Sequence, residues 1–451
     1  MYYKLDVKLF LLWMLLLVQV LLVVFYLLMA PSSYEYSTNA PELSSDMSNN
    51  VFPVKFVPKT KTESSQAMQT LGYLMGEQSI ILKSDDRSYF NSVNGTDCFV
   101  LGTDLEYMKR TEDGFATDIK CACKQGWHGR DCGQPEVIWR AFIASRQKIF
   151  PRKRRQPRHL VLAFSVINLE IMMAEIMIHE LSSIVDLFII GESNYTETGK
   201  PKSQYFLNKL QKGFLKEMQH KILYVPLTSY DSDKNSHLQN LRQHMWHKGR
   251  QVIKNLQSDD ILIMVNAYEI PNIKALLFFK LYNGWPQPVA FRLKWTVYGF
   301  FWQHPKKTIT SPGAWKVQLL DDAYHNNIAK LRTDPVTDGE ETLTYGLVVG
   351  DLNHYGGWCC SWCLDPKDIV LTLQEMPNSR SPVNWDKIKN RKIDPSYIED
   401  LIGAGLWLDS TTELARKSQY RDSYFAPEYV LNNTWKYDFL LTNFYMKLDY
   451  N

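Results

Sequence analysis

From residue 159 onward, short apolar runs alternate with longer segments of helical periodicity, and this alternation restricts the fold more than any other feature of the sequence. Four runs have the length and the Val, Ile, Leu and Phe content of buried strands, at residues 159–166, 185–193, 221–227 and 260–265. Apolar side chains recur every three or four positions in residues 169–184, and residues 237–256 form a polar helical stretch. The sequence therefore predicts an α/β domain, a mostly parallel sheet with flanking helices.

Polar side chains stand at the carboxyl ends of three of the predicted strands. Ligands of parallel sheets bind beyond these ends, so we expect a site there. The candidates are Glu170 after the first strand, Glu192 and Ser193 at the second, and Asn266 and Glu269 after the fourth. We expect Glu269 and Glu192 to be catalytic and the other three residues to bind substrate. The structural alternatives are a charge at a helix N-terminus for Glu170 and a cap or ion pair for Glu269.

The N-terminal apolar run predicts a membrane anchor. Residues 9–28 contain no charged side chain, and as a helix they would span roughly 30 Å, the thickness of a bilayer core. Lys4 and Lys8 precede the run, and no basic residue follows it until Lys55, which places the N-terminus in the cytosol. The alternative is a signal peptide cleaved after Ala30, which the length of the run disfavours. We expect a single-pass type II membrane protein.

Four of the seven cysteines lie close together, at Cys98, Cys121, Cys123 and Cys132. The C-x-C-x8-C spacing of the last three is similar to the second half of an EGF-like module. Four cysteines allow three pairings, and we favour Cys98–Cys121 with Cys123–Cys132. A zinc site is the alternative, but placement beyond the membrane favours disulfides.

These patterns divide the chain into segments: a cytosolic tail at 1–8, a transmembrane anchor at 9–30, a stem at 31–94, an EGF-like cysteine module at 95–135, a basic linker at 136–158, an α/β domain at 159–435 and a C-terminal tail at 436–451. The linker contains a run of basic residues that reads either as a solvated hinge or as a protease site after Arg155. Sequons predict glycosylation at Asn94 and Asn432, and also at Asn194 unless it belongs to the site. The net charge of +3 is too small to indicate a nucleic-acid partner.

Several motifs of the α/β domain resemble glycosyltransferase family 17. They are "HELSSIVDLFIIGESNYTETGKPK" at residues 179–202, "EIP" at 269–271, "LYNGW" at 281–285, "YGFFW" at 298–302, "HYGGWCCSWC" at 354–363 and "FAPEYVLNN" at 425–433. The resemblance implies a GT-A-like fold in the Golgi membrane, with the catalytic domain in the lumen. It also implies transfer of N-acetylglucosamine from UDP-GlcNAc to the core β-mannose of N-glycans, in β-1,4 linkage and with inversion.

The same resemblance implies a Mn²⁺ ion held by strand-end aspartates, with a later histidine near the diphosphate. Here Val265, Asn266 and Tyr268 replace three aspartates, and Cys359 replaces the histidine. A hard divalent ion prefers charged oxygen ligands, so these replacements put the Mn²⁺ in question. The remaining weak metal candidates are Asn266, Glu269 and His354.

Aromatic residues of the motifs are further candidates for substrate binding. Tyr298, Trp302 and Trp358 could stack on sugar rings, and His354 could contact the diphosphate. Core packing is the alternative for the aromatic residues and a structural role for the histidine.

The departures leave a second function open: a catalytically impaired relative that binds glycan or nucleotide sugar, acting beside other Golgi transferases. A third alternative, a cell-surface adhesion protein, fits the cysteine module and stem. Adhesion modules are usually small β units, which disfavours it for this domain.

Overall fold

The computed structural model describes residues 17, 19, 55–56, 79–93, 95–111, 121–230, 236–328, 345–376, 381–383 and 392–446. Most of the predicted anchor at 9–30 and the sequon at Asn94 lie outside these residues; Leu17 and Gln19 are helical. Within the described residues, no helix has both the length and the apolar character needed to cross a bilayer.

The strands of this part of the chain are, in order, β1 (Lys55–Phe56), β2 (Phe90–Val93), β3 (Thr96–Phe99), β4 (Trp127–His128), β5 (Gln134–Pro135), β6 (Arg152–Lys153), β7 (Leu160–Val166), β8 (Leu187–Ser193), β9 (Ile222–Leu227), β10 (Ile261–Asn266), β11 (Glu269–Pro271), β12 (Tyr282–Asn283), β13 (Val289–Val297), β14 (Gly299–Lys316), β15 (Leu347–Val349), β16 (Gly357–Ser361) and β17 (Ala415–Arg416).

The α-helices are α1 (Leu105–Thr111), α2 (Glu136–Ser145), α3 (Ile171–Leu181), α4 (Tyr205–Gln211), α5 (His237–Val252), α6 (Ile273–Leu281), α7 (Val317–Asp322), α8 (Pro366–Glu375), α9 (Pro395–Ala404), α10 (Glu428–Asn432) and α11 (Thr434–Leu441). A short 3₁₀ helix, Gln219–Lys221, precedes β9. Local sequence signals explain several helix starts. For example, Ser236 and Gln239 form a reciprocal capping box at the start of α5.

An eleven-stranded mixed sheet forms the centre of the domain. Its main order is β1-β9-β8-β7-β10-β14-β13-β16-β11, with β15 beside β13 and β17 beside β14. The pairs from β1 to β10 are parallel, whereas β10–β14, β14–β13 and β16–β11 are antiparallel. The α/β class is confirmed, and the sheet is mixed: β13 also pairs in parallel with β15 and β16, whereas β14 pairs antiparallel with its neighbours. Long β13 and β14 can pair antiparallel because a tight turn at Tyr298 joins them.

Both faces of the parallel part are covered, which explains its continuous apolar runs. In β7, Leu162 and Phe164 face a core shared with Met173 and Met177 of α3. Val161 and Ala163 of the same strand face the opposite core, which includes Met245 and Trp246 of α5. The methionine-rich stripe of the predicted first helix is therefore core packing.

The strand order reverses between β7 and β10. From β7 the chain proceeds through β8 and β9 on one side and returns to place β10 on the other side of β7. At such a switch point the loops that follow the two strands diverge and leave a crevice at their carboxyl ends. This geometry positions the site described below.

The cysteine module lies against the sheet-containing domain. Disulfides join Cys98 to Cys121 and Cys123 to Cys132, the pairing favoured from the sequence. The Tyr282 hydroxyl donates a hydrogen bond of 2.7 Å to an Asp131 carboxylate oxygen. The disulfides cross-link the module internally, and the Tyr282–Asp131 contact joins it to β12.

Three peripheral segments lie on the domain where the sequence predicts separate regions. Residues 79–93 belong to the predicted stem, yet Ile80 and Leu82 are buried in the core and Asp85 forms an ion pair with Lys280. The predicted linker at 136–158 contains α2 and β6, and the predicted C-terminal tail at 436–451 contains the end of α11, where Leu440 is buried. Short apolar stretches within polar segments account for all three differences.

Candidate active site

A cavity of about 330 Å³ opens at the switch point. Residues that follow β7 and β10 form much of its wall, together with a segment of β14, the end of β16 and part of α8. The polar side chains of the wall include those of Asn168, Glu170, Glu197, Asn266, Tyr268, Glu269, Cys359 and Glu375. The cavity therefore brings together three of the predicted site residues: Glu170, Asn266 and Glu269.

Asn266 is the centre of a hydrogen-bond network at the end of β10. Its Oδ1 accepts from Nη2 of the buried Arg242 at 2.8 Å, and its Nδ2 donates to the Tyr268 hydroxyl at 3.0 Å. Glu269 accepts from the Asn266 backbone N–H at 2.8 Å through Oε2, and its Oε1 lies 3.4 Å from Asn266 Nδ2. The Arg242 guanidinium thus donates to the Asn266 oxygen, and the amide groups of Asn266 face the oxygens of Glu269.

This network does not fit a divalent metal ion. Mn²⁺ would require several oxygen ligands with open lone pairs, preferably charged. Asn266 offers one neutral oxygen, and a fixed positive charge already lies 2.8 Å from it. Both oxygens of Glu269 face the amide groups of Asn266. Within the described residues, no group of three or more His, Cys, Asp or Glu side chains could hold a metal.

The later motif lies directly beside this network. Glu269 of β11 is the register partner of Cys359 in the antiparallel strand β16, so the two altered motifs are neighbours in space. Cys359 is a buried thiol whose sulfur lies 3.8 Å from Ser361 Oγ, and Cys360 is joined to Cys363 by a disulfide. The replacements at both motifs therefore affect one place in the fold.

Glu170 is a buried carboxylate of the cavity wall. Its Oε2 accepts from the Asn168 backbone N–H at 2.8 Å. Burial raises the pKa of Glu170, and backbone hydrogen bonds and the nearby Lys202 oppose this shift. A raised pKa makes a carboxylate a stronger base once it is ionised.

The charges around the cavity are unevenly arranged. Four acidic residues line it, at Glu170, Glu197, Glu269 and Glu375, and none of the described lining residues is basic. Lys202 and Arg242 lie directly behind the wall. The Lys202 ammonium donates to the Ile167 carbonyl oxygen at the cavity edge, and burial lowers the pKa of Lys202.

Glu192 and Ser193 occupy the end of β8 but are not among the cavity-lining residues. Glu192 is fully buried and accepts hydrogen bonds from the backbone N–H groups of Phe206 and Leu207 at the start of α4 and from the Tyr224 hydroxyl. Burial raises the pKa of Glu192 despite these bonds. Ser193 Oγ lies 2.8 Å from His237 Nε2. Both side chains join β8 to neighbouring helices.

The aromatic candidates are distributed over other parts of the domain. The Trp302 indole donates to the Ile402 carbonyl oxygen at 2.8 Å, and the Tyr298 hydroxyl donates to that of Leu406 at 3.1 Å. Both are buried; Trp302 connects β14 to α9, and Tyr298 connects the turn before β14 to the chain that follows α9.

Trp358 and His354 line a second cleft of about 660 Å³, between the cysteine module and the domain. The Trp358 indole donates to the Tyr424 carbonyl oxygen at 3.0 Å, and His354 Nδ1 lies 3.5 Å from an Asp351 oxygen. Neither residue lines the switch-point cavity.

The two remaining sequons differ in exposure. Asn432, at the end of α10, is exposed, as a glycan acceptor must be. Asn194 is partly buried directly after β8.

Arg242 is the site residue that sequence reasoning missed. It lies on the buried face of α5 beside Leu238, Leu241 and Met245. A charged residue within an apolar helical stripe indicates a buried partner, and that signal was present in the sequence. The position of the partner, Asn266, depends on how α5 crosses β10 and has no local signal.

Comparison with known proteins points to one family. Residues 148–328 match the profile of a family described as glycosyltransferase family 17. The human protein named beta-1,4-mannosyl-glycoprotein 4-beta-N-acetylglucosaminyltransferase is 32% identical over 342 residues, 73% of this chain and 63% of the human protein. The proteins of the same name from rat and mouse are each 32% identical over 340 residues, 72% of this chain and 62% of theirs. The matched region thus spans somewhat less than two thirds of each relative.

Proposed function

Because the chain carries a glycosyltransferase family 17 domain, we propose that it transfers N-acetylglucosamine from UDP-GlcNAc to the core β-mannose of N-glycans without a bound Mn²⁺ ion. The observation that carries this proposal is the cavity at the switch point, where Glu170 and the Asn266 network meet. A β-1,4 linkage formed with inversion is the reaction that the named relatives suggest.

In this proposal Glu170 is the catalytic base. It accepts the proton of the attacking mannose hydroxyl as the hydroxyl oxygen bonds to the anomeric carbon and UDP departs. Glu269 is a positioning residue, since its carboxylate holds Asn266 in place. Arg242 and Lys202 provide the fixed positive charge behind the wall that offsets the charge developing on the diphosphate.

The proposed location is the Golgi membrane, with a single type II anchor at residues 9–30 and the domain in the lumen. The three disulfides support an oxidising compartment. The proposed acceptor is the N-glycan of glycoproteins, and neighbouring Golgi transferases are the proposed partners.

The test is transfer from UDP-GlcNAc to a biantennary N-glycan by the full chain in detergent, with Mn²⁺ and with EDTA. We expect transfer in both conditions. Glu170→Gln should lower kcat by about 10²- to 10⁴-fold, the usual contribution of a positioned base. Glu375→Gln is the matched control, because Glu375 lines the same cavity without a proposed chemical role.

Absence of transfer from protein that unfolds cooperatively on heating would contradict the proposal. A strict requirement for Mn²⁺ would contradict its metal-independent part alone. Equal losses in Glu170→Gln and Glu375→Gln would remove Glu170 as the base.

The second candidate function is a catalytically impaired relative that binds glycan or nucleotide sugar. It is favoured by the replacement of the family's metal-site positions by Val265, Asn266, Tyr268 and Cys359. Binding of UDP or the N-glycan without transfer would support this candidate.

A further inference from the structure

A third cleft, of about 1030 Å³, lies away from the switch-point cavity and shares no lining residue with it. Its walls come from the first part of β14, the loop after β15, the segment that follows β17 and the chain end after α11. We refer to it as the basic cleft, because four of its residues are Lys307, Arg416, Lys417 and Arg421.

The positive charge of the basic cleft is not balanced by its own acidic residue. Asp422 lines the cleft, but its carboxylate lies 2.8 Å from the ammonium of Lys294, whose side chain is fully buried. That pair leaves the four basic side chains as the net charge of the lining. Because the whole chain carries a net charge of only +3, these basic side chains form a local concentration of positive charge.

The remaining lining suits a saccharide. Asn353 and Gln419 are exposed in the lining and offer amide groups for hydroxyl recognition. Tyr420 is 97% exposed at the rim, an arrangement that leaves its ring open for stacking on a sugar. A concave surface of this kind fits an oligosaccharide better than it fits a membrane plane.

We propose that the basic cleft binds a saccharide that carries carboxylate or sulfate groups. The basic side chains pair with the anionic groups, while the amides and the exposed Tyr420 ring contact the sugar ring. This inference concerns a site separate from the cavity and does not depend on the transfer reaction.

The experiment measures binding by the full chain in detergent to four probes. These are a biantennary N-glycan with sialic acid at both ends, its desialylated counterpart, a heparin-derived octasaccharide and inorganic sulfate. We expect the sialylated glycan or the octasaccharide to bind more tightly than the neutral glycan, and this preference to weaken as salt screens the charges. Binding of the sialylated glycan identifies carboxylate recognition. The octasaccharide carries both carboxylate and sulfate groups, so its binding without binding of the sialylated glycan indicates that sulfate is required. Either outcome supports the proposal.

Variant Arg416→Glu/Arg421→Glu tests the cleft directly. It should weaken binding of the anionic saccharide at least about tenfold, equivalent to about 1.4 kcal/mol. Arg130→Glu/Lys216→Glu is the matched control with the same change in net charge, since both residues are exposed and lie outside the cleft. The control should bind within about twofold of the native chain.

Three results would overturn the proposal: equal binding of the neutral glycan, sulfate binding as tight as saccharide binding, or native affinity in Arg416→Glu/Arg421→Glu. Circular dichroism and the thermal midpoint of each variant establish that it is folded.

Discussion

The Arg242–Asn266 contact can be tested by restoring an aspartate at the strand end. In Asn266→Asp, the oxygen 2.8 Å from Arg242 becomes charged, an attraction of about 6 kcal/mol at an effective dielectric constant near 20. The second oxygen replaces the amide nitrogen 3.4 Å from Glu269, a repulsion of about 5 kcal/mol on the same scale. The two terms nearly cancel.

The lost amide donor adds about 1 kcal/mol of destabilisation, so Asn266→Asp should change the free energy of unfolding by less than about 2 kcal/mol. Without the guanidinium the repulsion is no longer offset. The double variant Arg242→Met/Asn266→Asp should therefore be less stable than Asn266→Asp by about 3–5 kcal/mol.

Urea denaturation of the native chain, both single variants and the double variant completes a double-mutant cycle at pH 7. The assignment is supported if Arg242→Met costs more unfolding free energy in the Asn266→Asp background than in the native chain. If Asn266→Asp alone were as destabilised as the double variant, Arg242 would not be the charge partner of this strand end, and the electrostatic reasoning would fail.

Three further predictions follow from contacts in the domain. UDP affinity measured by calorimetry should agree within about twofold in Mn²⁺ and in EDTA, because the strand-end oxygens are already hydrogen-bonded; a Mn²⁺-dependent affinity would contradict the metal-fit argument. Lys280→Met leaves Asp186 and Asp85 without their buried cation and should cost about 3–5 kcal/mol of unfolding free energy. The control Lys274→Met, on the exposed face of α6, should cost less than about 1 kcal/mol. Equal costs in urea denaturation would refute the role of the buried ion pair. Glu170 must be ionised to act as a base, and burial raises its pKa. The pH profile of kcat/KM should therefore rise through a pKa above the ordinary glutamate value. Glu170→Gln should lose this rise, and a rise that persists in the variant would belong to another group.

The parallel half of the sheet could be predicted from the sequence because each strand is buried on both faces. The run predicted at 185–193 became β8, Leu187–Ser193, and the run at 260–265 became β10, Ile261–Asn266. The antiparallel strands were not predicted. β14 alternates apolar and polar stretches over Gly299–Lys316 and pairs with β10, β13 and β17, so no single window of sequence shows its role.

The candidate site was predicted by position more successfully than by role. Glu170 and Glu269 line the cavity as strand-end reasoning expects, but Glu192, equally placed at a strand end, caps the start of α4. The difference depends on where the chain goes over the next fourteen residues, which determines whether the carboxylate meets a helix or open space. Such a path is tertiary information without a local pattern.

The segment with four consecutive basic residues has a consequence for how this protein would be processed. Proteases take their substrates as extended strands and prefer exposed loop tips. Here β6 is already paired with β12, and Arg154 donates to Asn283 Oδ1 at 3.0 Å and contacts Asp259. Cutting after Arg155 thus requires β6 to separate from β12 first. Residues before the cut, including Ile80, Ile138 and Phe142, are buried in the domain core. A nicked chain would therefore separate on a denaturing gel but elute as one particle from a sizing column.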